Sequence, residues 1–196
     1  MKAARSGWFI PCPCRPVADT RSRPIHNGGR MLKRLGSLLV LAAALSGCAK
    51  EEAREIKRTD VPNFPIASAV QVPAGSDLFF LSGTVPPAVN KDAPAGSVDV
   101  FGDTETQTVN VLTRIQETLK AQGLTMGDVV LMHVYLVGDP AKEGKMDFAG
   151  MMAGYTKFFG TPEQPNKPAR STVQISSLVT PGMLVEIEVV AAKAKN

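Results

Sequence analysis

Arg170 opens the run Ala-Arg-Ser-Thr-Val-Gln-Ile, and Glu186 and Glu188 sit two apart in Leu-Val-Glu-Ile-Glu-Val-Val. A guanidinium is a planar fork that fits a carboxylate through two parallel hydrogen bonds. A glutamate beside it can hold or deprotonate a water. In extended chain, alternate residues share a face. Arg170, Thr172 and Gln174 therefore share one face, and Ala169, Ser171, Val173 and Ile175 the other. Glu186 and Glu188 share a face opposite Val185, Ile187 and Val189. If the two runs pair as a hairpin around Pro181-Gly182, Arg170 lies near a glutamate. Two readings then stand: a carboxylate grip beside a base, or a cross-strand ion pair on a solvated sheet face, worth under about 1 kcal/mol.

Other chemistries are short of residues. The cysteines are Cys12, Cys14 and Cys48, so residues 49–196 hold none, which excludes a disulfide, a thiolate cluster or a cysteine nucleophile there. His133 is the one histidine after His26, which argues against Ser-His catalysis and a multi-histidine zinc site. His133 and Tyr135 read as hydrogen-bonded core or interface residues, and Met151 and Met152 as core. The net charge of +4 is uneven. Residues 1–47 carry eight Lys and Arg and the single acid Asp19, which leaves 14 bases and 17 acids for residues 48–196. A mildly acidic body has no broad field to attract nucleic acid. Dinucleotide, P-loop, zincin and EF-hand motifs are absent from the sequence.

The basic charge belongs to a leader. Lys33 and Arg34 precede the apolar run Leu35–Leu45, and small residues then lead to Cys48. That run is too short to span a bilayer, which needs about 20 residues. This is signal-peptide architecture, and Leu-Ser-Gly-Cys resembles a bacterial lipobox, which implies cleavage before Cys48 and lipidation of its thiol. An ordinary secretory signal or a buried helix is the alternative. Ala49 after the cysteine resembles outer-membrane sorting, so the expected location is the periplasmic face of the outer membrane, or the periplasm if the chain is only secreted. The membrane partner is then reached through the lipid anchor alone. The expected organisation is an extension over residues 1–30, a signal peptide over 31–47, a lipidated flexible tether over 48–62 and one domain over 63–196. The n-region begins at Met31, so residues 1–30 read as an artefact of start-site choice or an unstructured extension.

The elements that must position the site follow from periodicity. Val70–Gly83 reads as a hairpin with its turn at Pro-Ala-Gly-Ser-Asp. Residues 86–97, rich in Pro, Ala and Gly, form a loop. A helix starts at a capping box of Thr104 and Gln107, carries Val109, Leu112, Ile115 and Leu119 on one face, and stops at Gly123. Residues 129–137 form a strand buried on both sides. A second helix over residues 147–159 presents Phe148, Met151, Met152, Tyr155, Phe158 and Phe159 on one face. Two strands close the chain. The expected fold is α+β, two helices packed on one face of a mixed sheet.

At these residues the chain resembles the Rid (reactive intermediate deaminase) family, also called YjgF. The resemblance covers about residues 66–192 and is carried by LSGTVP (81–86), GLTMGDVVLMHVYL (123–136), YTKFFG (155–160), PARSTV (168–173) and VEIEVVA (185–191). It implies a chorismate-mutase-like fold and a homotrimer around a central barrel, with sites at the subunit interfaces. It implies an enamine or imine deaminase that hydrolyses a small carboxylated 2-imino acid to a 2-oxo acid and ammonia, with no cofactor and no metal. By resemblance Arg170 binds the substrate carboxylate, Glu186 positions or activates a water, and Gly83 offers backbone contacts. Three pocket positions depart from the family pattern: Ala69 stands for a Tyr, Met152 for an Asn and Thr172 for a Cys. These changes make the pocket more apolar. They also leave a non-catalytic carboxylate-binding or scaffold lipoprotein on the same trimer as the alternative.

Overall fold

The structure, a computed structural model, describes residues 55–195. The proposed extension, signal peptide and lipidated Cys48 lie outside them. The strands are β1 (Lys57–Asp60), β2 (Ala67–Gln71), β3 (Asp77–Thr84), β4 (Val129–Val137), β5 (Ala169–Ile175) and β6 (Val185–Lys193). The helices are α1 (Thr104–Ala121) and α2 (Phe148–Tyr155). One mixed sheet runs β1-β2-β5-β4-β6-β3. β5 is parallel to β2 and β4, and the remaining pairs are antiparallel. The α+β expectation therefore stands, with two helices packed together against one sheet face.

β4 is the most continuously apolar strand, and it takes the centre between β5 and β6. Its burial alternates. Met132, Val134 and Leu136 face the helices and are fully covered, whereas Leu131, His133 and Tyr135 on the other face are half-buried. The expectation of burial on both sides is thus corrected to one. α1 contributes Val111, Leu112, Ile115 and Leu119 to the core, and α2 contributes Met151 and Tyr155, with Phe159 just beyond it. Val111, not Val109, faces the core.

The hairpin expected over residues 70–83 does not form, and neither does the one considered around Pro181-Gly182. β5 and β6 do not pair, because β4 lies between them. The β4-α2-β5 segment is a helical crossover, which makes those two strands parallel, and the loop after β5 carries the chain past β4 to its other side. β2 and β3 do not pair either. β3 instead aligns along β6 from Asp77 opposite Lys193 to Thr84 opposite Ile187. A long apolar partner outweighs the local turn signal at residues 73–77. Residues 57–60, expected within the flexible tether, form β1, paired antiparallel to β2. Arg58 fixes that edge by donating to the carbonyls of Val129, Lys167 and Gly127 at 2.9, 2.8 and 2.8 Å.

The start of α1 differs in detail. Asp103 is its N-cap, accepting from the Thr106 amide at 2.8 Å. Gln107, expected in a capping box, is instead fully buried and ties the helix to the loop before β6. Its Nε2 donates to Gly102 O and Gly182 O, and its Oε1 accepts from Leu184 N at 2.7 Å. Gln107→Leu would orphan these buried backbone groups and is expected to destabilise the fold by about 3 kcal/mol in urea melts. α2 ends at Tyr155, shorter than expected, because the chain turns tightly into Gly160, at φ +72°.

Candidate active site

Arg170 lies on the helix-facing side of β5, opposite Met132 of β4. Its guanidinium sits 4.3 Å from the centre of the Tyr155 ring and 5.9 Å from those of Phe64 and Phe148. Nη2 points at the Met152 sulfur at 3.2 Å, and Nη1 at the Met151 sulfur at 4.0 Å. A thioether is a weak acceptor. Among the described residues no carboxylate is within ion-pair distance of Arg170. Burial pulls its pKa below the ordinary arginine value, opposed by Tyr155. Arginine stays charged in proteins, so the site holds a partly desolvated cation with soft partners. Tyr155 is committed elsewhere: its hydroxyl donates to Pro65 O at 2.8 Å, and burial raises its pKa far above the usual phenol value. Thr172, two residues on along the same face, has a buried hydroxyl with no partner.

Glu186 lies on the other side of the sheet, opposite Tyr135 of β4. Its side chain crosses Gly83, where a Cβ would overlap the carboxylate. Gly83 sits in the irregular stretch where the β3–β6 register shifts between Leu81 and Thr84. Glu186 also lines an open hollow of ≈ 480 Å³ with Tyr135, Ile175, Ser177, Leu178 and Val179. Glu188, its neighbour on that face, is engaged. Its Oε1 accepts from His133 Nδ1 and from the Tyr135 hydroxyl, each at 2.8 Å. Those two hydrogen bonds, His133 first, hold its pKa below the usual glutamate range. The same contact raises the Tyr135 phenol. Among the described residues Glu186 makes no such bonds, so of the two glutamates it is the one whose carboxylate remains available.

The structure therefore brings Gly83 to Glu186, and Met152 to Arg170, but it does not bring these two groups together within one chain. The β4 partners of Arg170 and Glu186, Met132 and Tyr135, are three positions apart, an odd separation that puts the side chains on opposite faces. The expected proximity of Arg170 to a glutamate across a hairpin is overturned for the same reason that the hairpin is. Ala69 is exposed on β2, opposite Thr59. The β1–β2 register shifts there, since the neighbours Thr59 and Asp60 pair with Ala69 and Ala67, so regular alternation is interrupted between the two alanines. The rings of Phe64, Phe148 and Tyr155 around Arg170 were not singled out as site residues by the sequence. Phe148 and Tyr155 carried a helical signal that read as core, and Phe64 carried none.

Comparison with known proteins agrees with this fold. The family model described as Endoribonuclease L-PSP matches residues 63–193. A RutC family protein of Pyrococcus horikoshii is 33% identical over 140 residues, covering 71% of this chain and 98% of its own length. One of Saccharolobus solfataricus is 32% identical over 141 residues, covering 72% and 99%. Among solved structures, a protein of unknown function of the conserved Rid family from Yersinia pestis aligns with a TM-score of 0.52 at 23% identity, covering 70% of this chain and 98% of that one, which speaks for the fold. The strand order, the helix pair and this continuous match over residues 63–193 agree: the chain belongs to the Rid/YjgF (L-PSP) family.

Proposed function

We propose that this chain is an imine or enamine deaminase-like hydrolase acting on small carboxylated 2-imino acids with apolar side chains. The observation that carries the reading is Arg170, a partly buried cation with no anionic partner among the described residues. An unpaired buried charge is costly, and a substrate carboxylate supplies the missing partner through a bidentate contact. The rings of Phe64 and Phe148 and the Met152 thioether favour an apolar substituent beside it. Glu186 holds a water and takes its proton as the oxygen adds to the iminium carbon. The carbinolamine then collapses with loss of ammonia, so that 2-imino acid and water give 2-oxo acid and ammonia. The iminium carbon is already electrophilic, so positioning supplies much of the rate, and neither cofactor nor metal enters the scheme.

Because Arg170 and Glu186 face opposite sides of one sheet, this mechanism needs more than one copy. In the proposed homotrimer, Arg170 of one subunit works with Glu186 of another. The sheet face opposite the helices supports this: Leu78 and Phe80 of the edge strand β3 are exposed there, Phe80 by 75%, as is Val173 of β5. Such apolar exposure fits a surface covered by further copies. The body's excess of acids and the lack of a basic-aromatic stripe make nucleic acid a poor partner, whatever the endoribonuclease label of the family model. For location we keep the lipoprotein reading. Cys48 precedes β1 by nine residues, so a fully extended linker holds the domain within about 30 Å of the bilayer.

The test is release of 2-oxobutanoate from freshly generated 2-iminobutanoate, with Arg170→Ala as control. Turnover by the native chain and its loss in the variant are expected; equal rates would remove the catalytic reading. The second reading, a carboxylate-binding or scaffold protein without turnover, is favoured by Ala69 and Met152 at positions where polar partners are expected. Binding of 2-oxobutanoate without any conversion of the imine would select it.

A further inference from the structure

The proposed reaction uses Met152 only as an apolar wall and leaves the redox chemistry of its sulfur unused. Its sulfur, 3.2 Å from Nη2, occupies the place that an anionic oxygen would take on Arg170. The methionines of the described residues differ sharply in access: Met126, Met132 and Met151 are buried, whereas Met146, Met152 and Met183 are partly exposed. Of the three that solvent reaches, Met152 alone has its sulfur against a guanidinium.

We propose that Met152 is an oxidation site whose sulfoxide locks the Arg170 anion site. The oxidant is a peroxide. The O–O bond of hydrogen peroxide breaks, one oxygen bonds to the Met152 sulfur, and the other leaves as water; the sulfur loses two electrons and the peroxide gains them. The Arg170 N–H engages one sulfur lone pair, the second remains for this attack, and rotation about the Cγ–Sδ bond then brings the new oxygen to Nη2. The product changes the contact in kind. A thioether accepts weakly, whereas a sulfoxide oxygen is a strong acceptor and makes a charge-assisted bond to the guanidinium. That bond supplies the partner Arg170 lacks and competes with an incoming carboxylate. Methionine sulfoxide is reversible by dedicated reductases, so the modification acts as a switch. The effect on substrate rests on the proposed carboxylate site, whereas the bond to Arg170 does not.

The test treats the full chain with limiting hydrogen peroxide and maps sulfoxides by peptide mass spectrometry. Oxidation at Met152 is expected, with a fall of at least tenfold in affinity for 2-oxobutanoate and recovery after methionine sulfoxide reductase. Met152→Leu, treated alike, shows the same affinity after peroxide as before it. Three results overturn the proposal: Met152 still reduced when Met146 and Met183 are converted, oxidised Met152 with unchanged affinity, or an equal loss in Met152→Leu. If the untreated chain does not bind 2-oxobutanoate, the carboxylate reading fails, and the lock is read from thermal melts instead. Oxidation then leaves the native melting temperature unchanged or higher and lowers that of Arg170→Met. Equal lowering in both overturns the lock.

Discussion

Arg170→Met is expected to abolish carboxylate binding while raising the stability of the fold. In the native chain the guanidinium is partly desolvated against Tyr155, Met151 and Met152, with no anion beside it among the described residues. Removing the fork deletes two charge-assisted hydrogen bonds to a bound carboxylate, a loss of about 3 kcal/mol or roughly 100-fold in affinity. An apolar side chain of similar volume no longer carries the cost of an uncompensated charge. Replacing buried ions in this way is often neutral or stabilising by about 1–4 kcal/mol, against about 1 kcal/mol lost with the cation–π contact to Tyr155. Urea melts of the free protein should show a net gain, and calorimetric titration with 2-oxobutanoate should show no binding. A variant that loses stability instead would make Arg170 a strut of the fold.

Gly83→Ala should have the opposite profile of effects on the two halves of the site. Its new Cβ overlaps the Glu186 carboxylate and must push it away from its present position. The backbone at Gly83 is not in the left-handed region, so the consequence is displacement of one side chain and not strain in the strand. Misplacing a catalytic group by about 1 Å costs on the order of 100-fold in rate, so turnover of 2-iminobutanoate should fall by about that factor. The affinity for 2-oxobutanoate should stay within about threefold, because Arg170 lies on the other face. Loss of both together would mean that the irregular stretch of β3 supports the whole sheet, and that Gly83 serves packing.

The two variants separate grip from water placement. They also bear on how the fold relates to the chemistry. Each proposed catalytic group is built into a strand on one side of the sheet, and β4 is the wall between them. A single chain displays the cation under α2 and the free carboxylate on the opposite face. Assembly, not a conformational change within the chain, is what the proposed reaction requires. The pairing of Glu188 with His133 and Tyr135 adds to this division, because it leaves Glu186 as the uncommitted carboxylate of that face.

Much of this was legible in the residues alone. The two helices, the apolar central strand and the alternation that puts Arg170 with Thr172, and Glu186 with Glu188, follow from local periodicity, which the chain carries whatever its tertiary partners. The choice of Arg170 and Glu186 came from residue type and motif order, and residue type does determine that one can grip an anion and the other can hold a water. Strand pairing was not legible. The turn signal at residues 73–77 predicted one hairpin and that at 181–182 allowed a second, and neither forms, because β3 pairs with the longer strand β6 and β5 with the central strand β4, both far away in sequence. With the second hairpin went the expected meeting of Arg170 and Glu186. β1 was hidden in a charged segment, since an edge strand of four residues needs no apolar pattern and is held by Arg58 through backbone carbonyls. The thioether and rings around Arg170 were equally invisible, for burial is decided by which elements stack. The sequence by itself determined which groups this protein has for chemistry; only the tertiary structure decided which face each occupies, because side-chain direction is set locally but the order of strands is set by long-range apolar packing.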